Sequence, residues 1–372
     1  MKKKILVCVN NFETGGVNAV VSSIYRGIDP EIFDMDFISL NNGNTSFEKE
    51  ITDNGNRIYY IKECGMTKIP YFNYYIRAYK MVSQIRGILR EEKYDIVHIH
   101  ANADIYLPAA KKLKIPVRIY QSHEGVSDFN GNENKSRVTD IIWKNRVRMY
   151  NRLATVKAGD SKKACIAKFG ADVINDPKMA VIHPPVDMNR FDPALYNRDA
   201  IIKEFGINTE AFNMVHVGRL NPVKNQSFMI DVLKELNKKR GSELYIVGDG
   251  DMKNKLVEYA EKSGVADKVH FLPGNTTPGI YTAMDCSLLP SFSEAFGMVA
   301  VESQVMGVPC FASVNVPDDV DIGMCSFLEL DAELWAEKIA DCDFGVASVD
   351  GSKRDMFSIK TIVDQVSELY KT

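Results

Sequence analysis

A chain of 372 residues is too long for one ordinary core and fits two domains of average size. No apolar run approaches the ~18 residues of a membrane-spanning helix, and seven scattered cysteines without a C-x-x-C pair suggest neither a disulfide framework nor a zinc site, so a reducing compartment is the natural setting. The net charge of −3 conceals a surplus of +11 over residues 51–170, which suits an anionic lipid surface, a phosphorylated partner or a plain solvated face; no nucleic-acid-binding module is recognisable.

The chain opens with Met1-Lys2-Lys3-Lys4, and the apolar run Ile5–Val9 stops at Asn10-Asn11 without a small-residue cleavage site, so it reads as a buried strand rather than a signal peptide. Further strands are expected at Met35–Leu40, Ile58–Ile61, Ile96–Ile99, Val117–Gln121 and Val181–Ile182. Ala78, Met81, Val82, Ile85, Ile88 and Leu89 recur at helical spacing and predict a helix over 74–92. A second series comes next: strands at Phe212–Val217, Glu243–Val247, Val269–Leu272, Cys286–Leu289 and Val308–Ala312, with helices around 226–239, 251–262, 278–284 and 297–306. The prolines Pro184, Pro185 and Pro193 punctuate a connection between the two series. Alternating strands and helices predict an α/β fold with parallel sheets, divided into domains 1–188 and 189–372, the last helix being a candidate to return to the first domain. Ligands in such folds lie beyond the carboxyl ends of the strands, so the loops there carry the chemistry.

Three loops suit a nucleoside diphosphate. Gly15-Gly16 allows close backbone approach before a helix N-terminus, although a ligand-free turn has the same sequence. In Gly218-Arg219-Leu220-Asn221-Pro222-Val223-Lys224-Asn225 two cations flank a turn that ends at a helix start, and fixed cations favour a departing diphosphate as it gathers charge; two exposed basic residues are the plain alternative. In Pro290-Ser291-Phe292-Ser293-Glu294-Ala295-Phe296-Gly297-Met298 the acid Glu294 lies in a loop, and Glu302 falls in the next helix. Eight helical residues would separate the carboxylates by roughly 12 Å, beyond the ~5–9.5 Å of paired glycosidase acids, and suited to the two ends of one elongated ligand. Gly248-Asp249-Gly250 is a further close-approach turn, but Lys253 stands where a dinucleotide fingerprint needs glycine, and no P-loop occurs.

These segments together resemble the retaining glycosyltransferases of family four, which have the GT-B fold of two Rossmann-like domains facing a central cleft. The carrying residues are Gly15-Gly16, Gly218-Arg219-Leu220 with Lys224, Leu289-Pro290-Ser291, Glu294-Ala295-Phe296-Gly297 with Glu302, and Gly307-Val308-Pro309. The detailed match spans about 210–312. The resemblance implies that Gly15 and Gly16 approach the donor phosphate, that Arg219 and Lys224 neutralise the diphosphate, and that Glu294 holds sugar hydroxyls with Ala295, Phe296 and Gly297 beside it. It further implies that Glu302 binds the ribose, that backbone near Leu272–Asn275 recognises the base, and that His123 borders the transferring sugar. The chain departs from the pattern at Val17-Asn18-Ala19 and at His183-Pro184-Pro185-Val186-Asp187, which bear on donor and acceptor choice.

Implied with this are a nucleotide-sugar donor, UDP by family frequency, and a glycan or lipid-linked acceptor of bacterial surface-polysaccharide assembly. Also implied are no metal cofactor and a cytoplasmic enzyme, with the aromatic run Tyr71-Phe72-Asn73-Tyr74-Tyr75 a candidate for contact with the inner membrane face. His98 and His100 share a strand face without an evident third ligand, and four D-x-D triplets, among them Asp34-Met35-Asp36, are read as chance pairs. A nucleotide-sugar 2-epimerase of the same fold, or a non-catalytic nucleotide-sugar-binding subunit, stands as the alternative.

Overall fold

The computed structural model describes residues 2–12, 15–41, 43–61, 70–101, 103–125, 137–342 and 349–371, with side chains except at 70–79, 103 and 137–140. The side chains of Tyr71-Phe72-Asn73-Tyr74-Tyr75 and residue Thr14 of the Gly-Gly turn therefore lie outside the described residues, as does Asp343 of the last D-x-D triplet.

Two compact units result: Met1–Pro185 with Ile359–Thr372, and Val186–Ser358. In the first, β1 (Lys3–Cys8), β2 (Phe33–Ser39), β3 (Ile58–Tyr60), β4 (Ile96–Ile99), β5 (Val117–Ser122), β6 (Val156–Gly159) and β7 (Met179–Val181) form a parallel sheet of order 3-2-1-4-5-6-7. In the second, β8 (Phe212–Val217), β9 (Ser242–Val247), β10 (Val269–Leu272), β11 (Cys286–Leu289), β12 (Cys310–Ser313) and β13 (Cys325–Leu328) repeat the pattern as 10-9-8-11-12-13. In both, the strand order reverses beside the first strand, the switch point at which doubly wound sheets bind ligands.

The strand sequences are explained by burial on both faces. Successive β1 side chains enter opposite cores, Leu6 and Cys8 one, Ile5 and Val7 the other, so the strand is apolar throughout and shows no alternation. Strands β6 and β13 escape the sequence reading for identifiable reasons. β6 is Val-Lys-Ala-Gly, and its Lys157 is buried only because it pairs with Asp176. β13 is an edge strand of four residues, bonded to β12 alone. The helix expected over 278–284 is a short 3-10 turn, Gly279–Ala283.

The helix Ile359–Lys371 belongs to the first unit. It buries Ile362, Val363, Val366 and Tyr370, and it packs so closely on the helix Gly16–Gly27 that a Cβ on Gly27 would lie 2.5 Å from Val363 Cγ2. Lys3 Nζ donates to the carbonyls of Tyr370 and Lys371 at 3.0 and 2.7 Å, and the Tyr370 hydroxyl meets His98 Nδ1 at 2.7 Å. Tyr370→Ala removes a fully buried ring and orphans His98, so we expect it to cost about 3–5 kcal/mol, read as a lowered urea midpoint for the first unit's transition.

Candidate functional site

Strands β8 and β11 are neighbours at the switch point of the second sheet, so the loops leaving them meet. The first, Gly218–Asn225, is held by Gly218 N–H donating to Val247 O (3.0 Å) and Leu220 N–H to Asp249 O (2.9 Å). The close approach expected at Gly248-Asp249-Gly250 is therefore to this loop's backbone. A Cβ on Gly248 (φ +138°) would fall 2.1 Å from Gly218 O, and one on Gly250 (φ +156°) 2.3 Å from Leu220 O. Either alanine must displace the Arg219 segment, and for Gly250→Ala we expect at least ~10-fold weaker nucleotide binding with a lowered melting temperature, measured by calorimetry and thermal melts.

Three ties stitch the two loops together. Phe292 N–H donates to Val223 O at 2.9 Å, Asn225 Nδ2 to Pro290 O at 3.2 Å, and Lys224 Nζ to Glu294 Oε1 at 2.6 Å. Asn225 reaches its partner from a left-handed backbone (φ 56°), where asparagine is tolerated best after glycine. Ser291 Oγ also donates to Glu294 Oε1 (2.7 Å), and Ser313 Oγ anchors the Ser291 carbonyl at 2.6 Å. The cation expected on a diphosphate and the acid expected on a sugar thus neutralise each other here, 21% and 12% exposed. Arg219 is exposed beside them and has no side-chain partner among the described residues.

The backbone just beyond Glu294 sets the direction of its side chain. Gly297 adopts φ +105°, with a hypothetical Cβ 3.2 Å from Leu289 Cδ2, so its glycine identity is a backbone requirement. Phe296, expected beside the donor, is 2% exposed and packs on Phe357 with ring centroids 5.5 Å apart, so its side chain is core. Ala295 is half-buried. Glu302 lies on the following helix, Met298–Val305, half-buried, its carboxylate without a hydrogen-bond partner among the described residues. Burial pushes its pKa up to about 7, while Arg190 pulls it down. The Tyr281 hydroxyl nearby is buried and also unpartnered. Arg190 is tied to the loop after β10 through Thr277 O (3.1 Å). At the end of β10 the Leu272 carbonyl accepts from Gly248 N–H, and Asn275 in the loop is exposed.

In the first unit, Gly15 and Gly16 begin the helix Gly16–Gly27, and a Cβ on either meets nothing within 4 Å. Among the described residues nothing requires glycine there. His123 follows β5 with both ring nitrogens engaged: Nδ1 donates to Asp160 Oδ2 at 2.8 Å, and Nε2 meets His100 Nδ1 at 2.9 Å. Asp160 Oδ1 accepts from Gln121 Nε2 at 2.9 Å. Burial drives His98 down to about 3 and His100 well below the usual imidazole range, so both are neutral residues of the unit's interior, their rings 4.1 Å apart. Asp160 was missed because it follows β6, the strand that sequence pattern did not show. Among the described residues no group of three or more His, Cys, Asp or Glu is placed to hold a metal ion.

Two parallel, doubly wound sheets of like order, with charged loops at the switch point of the second, are those of the GT-B fold. HepE of Anabaena, a structure in complex with UDP and glucose, matches with a TM-score of 0.75 at 19% identity over 99% of both chains. The model of the group 1 glycosyl transferases matches residues 197–318, and that of glycosyltransferase family 4 matches residues 14–190. A glycosyltransferase model thus matches each half of the chain, which is a glycosyltransferase of the GT-B fold. Among its relatives, EpsF of Bacillus subtilis, named as a glycosyltransferase, is 27% identical over 91% of this chain and 87% of its own. The UDP-Gal:alpha-D-GlcNAc-diphosphoundecaprenol alpha-1,3-galactosyltransferase of Escherichia coli is 29% identical over 64% of this chain and 62% of its own.

Proposed function

We propose that this glycosyltransferase moves a sugar from a UDP-linked donor, with retention of configuration, to a glycan or lipid-linked glycan acceptor in bacterial surface-polysaccharide assembly. The observation that carries the reading is the Lys224–Glu294 pair at 2.6 Å, with exposed Arg219 in the same loop as Lys224. An ammonium balanced by a carboxylate can turn to a diphosphate as charge builds on the leaving group, while the freed carboxylate accepts from sugar hydroxyls. Gly15 and Gly16 offer backbone N–H groups to the donor phosphate. Glu302, unpartnered at the far end of the motif, receives the ribose hydroxyls.

Among the described residues no carboxylate is assigned as a covalent nucleophile, and in this reading the acceptor attacks from the face that the nucleoside diphosphate leaves. Positioning and leaving-group stabilisation by Arg219 and Lys224 supply the acceleration, with no metal cofactor assigned. His123 is assigned to the sugar side; while Asp160 and His100 hold its nitrogens, it does not take the acceptor's proton, which passes to the departing diphosphate oxygen. UDP-linked donors fit the UDP complex of HepE and the UDP-Gal donor in the name of the E. coli relative, which also names a lipid-diphosphate acceptor.

Among the described residues no helix is long and apolar enough to cross a membrane. The helix Arg137–Leu153 exposes Ile141 (59%) and Ile142 (41%) beside exposed Lys144, Arg148 and Arg152, a surface suited to peripheral contact with an anionic inner leaflet. Flotation with anionic but not neutral liposomes is the expected result, and no flotation with either removes the membrane contact. For the donor, thermal shift with UDP-, GDP-, TDP- and ADP-sugars should raise the melting temperature most with a UDP-sugar. Equal or absent shifts across the panel contradict the assignment.

A further inference from the structure

The Arg219 side chain makes no hydrogen bond or ion pair with a described residue, so its aim depends on its backbone. That backbone is anchored at three successive points. Gly218 N–H and Leu220 N–H bind the carbonyls of Val247 and Asp249. Between them, the Arg219 carbonyl accepts from Gln226 Nε2 at 2.9 Å, the one anchor of the three that comes from a side chain.

Gln226 opens the helix Gln226–Leu236 and is 2% exposed, an unusual place for a polar side chain unless it is fully engaged. Its amide faces two acceptors. One is the Arg219 carbonyl. The other is His216, wholly buried at the end of β8, whose Nε2 lies 3.4 Å from Gln226 Nε2. His216 Nδ1 faces the Leu288 carbonyl at 2.9 Å; a carbonyl only accepts, so Nδ1 carries the proton and Nε2 presents a lone pair. Burial keeps the ring neutral, its pKa lowered to about 4. A lone pair and a carbonyl both call for N–H, and the glutamine NH2 supplies one to each. An oxygen in the same place would be repelled by both.

We infer that Gln226, oriented by His216, is a positioning residue that fixes the direction in which Arg219 meets the donor diphosphate. The inference rests on the diphosphate role proposed for Arg219. Neither His216 nor Gln226 touches the donor; they act through the Arg219 carbonyl.

The test is a double-mutant cycle on nucleotide affinity, with UDP, GDP, TDP and ADP each titrated by calorimetry and the tightest binder carried forward. Arg219→Ala should weaken binding roughly 30-fold and Gln226→Met, which keeps length but removes the donor, roughly tenfold. The double variant should bind no more than about twofold worse than Arg219→Ala alone, because a lost aim has no effect once the guanidinium is gone. A merely structural glutamine would show the same tenfold loss in both backgrounds, and that result, or wild-type affinity in Gln226→Met, overturns the inference while the site reading stands. An Arg219→Ala variant that binds like wild type, or a wild-type protein that binds none of the four nucleotides, overturns the diphosphate role itself. Gln226→Leu also removes the N–H without adding a charge or a new donor; it gives the same readout should the methionine variant fail to fold.

Discussion

Lys224→Ala is expected to lower turnover by ~10²–10³, the scale for losing one preorganised electrostatic partner of a leaving group. Two effects combine. The diphosphate loses a cation, and Glu294, only 12% exposed, keeps a carboxylate whose remaining described partner is the Ser291 hydroxyl. An unpaired, nearly buried carboxylate destabilises, so this variant should also melt earlier than wild type. Arg219→Ala provides the contrast, since its side chain is exposed and unpaired among the described residues. It should lose activity to a similar degree with an unchanged melting temperature. Rates of nucleoside diphosphate release together with thermal melts separate the two variants; full activity in either removes that residue from the leaving-group role.

Glu302→Gln is expected to stabilise the protein at pH 8 and to weaken nucleotide binding. The Glu302 pKa of about 7 stands above the ordinary 4.5, because burial penalises the charged form. The folded protein therefore holds this proton more tightly than the unfolded chain does. The stability that the protonated carboxyl contributes is fully present below pH 4.5 and is lost as pH rises through 7. At pH 8 the ionised side chain costs up to about 3 kcal/mol, less where water reaches the carboxylate. Glutamine avoids the charge, so the gain in melting temperature should be clear at pH 8 and vanish at pH 4. An equal gain at both values contradicts a titrating Glu302. Its ionised form is the better acceptor for ribose hydroxyls, so wild-type affinity for a UDP-sugar, whose diphosphate has no ionisation in this range, should rise between pH 6 and 8. In Glu302→Gln that affinity should be about tenfold weaker and independent of pH. A residue that destabilises its own fold and tightens a ligand fits a binding role.

The positions of these charges along the chain were readable, and their partnerships were not. Arg219, Lys224, Glu294 and Glu302 lie in short segments whose spacing is set by one loop and one helix. The 2.6 Å contact of Lys224 with Glu294 depends instead on β8 lying beside β11, and residues 70 positions apart in sequence carry no local sign of that adjacency. Gly248 and Gly250 looked like an approach to a ligand, because sequence shows that a backbone comes close without showing to what. His216 and Gln226 passed as an ordinary strand end and helix start. The available signal was a histidine on the same strand face as Phe212 and Met214, a buried position that obliges a polar ring to find partners. Asp160 was hidden with β6, whose lysine and glycine break the apolar run.

The most direct measurement is a crystal structure of the protein with UDP bound. The account predicts diphosphate oxygens within about 3 Å of both the Arg219 guanidinium and the Lys224 ammonium, with the ribose on Glu302. A nucleotide bound away from the β8 and β11 loops, or a diphosphate out of reach of Arg219 and Lys224 while Lys224 keeps its bond to Glu294, would contradict it.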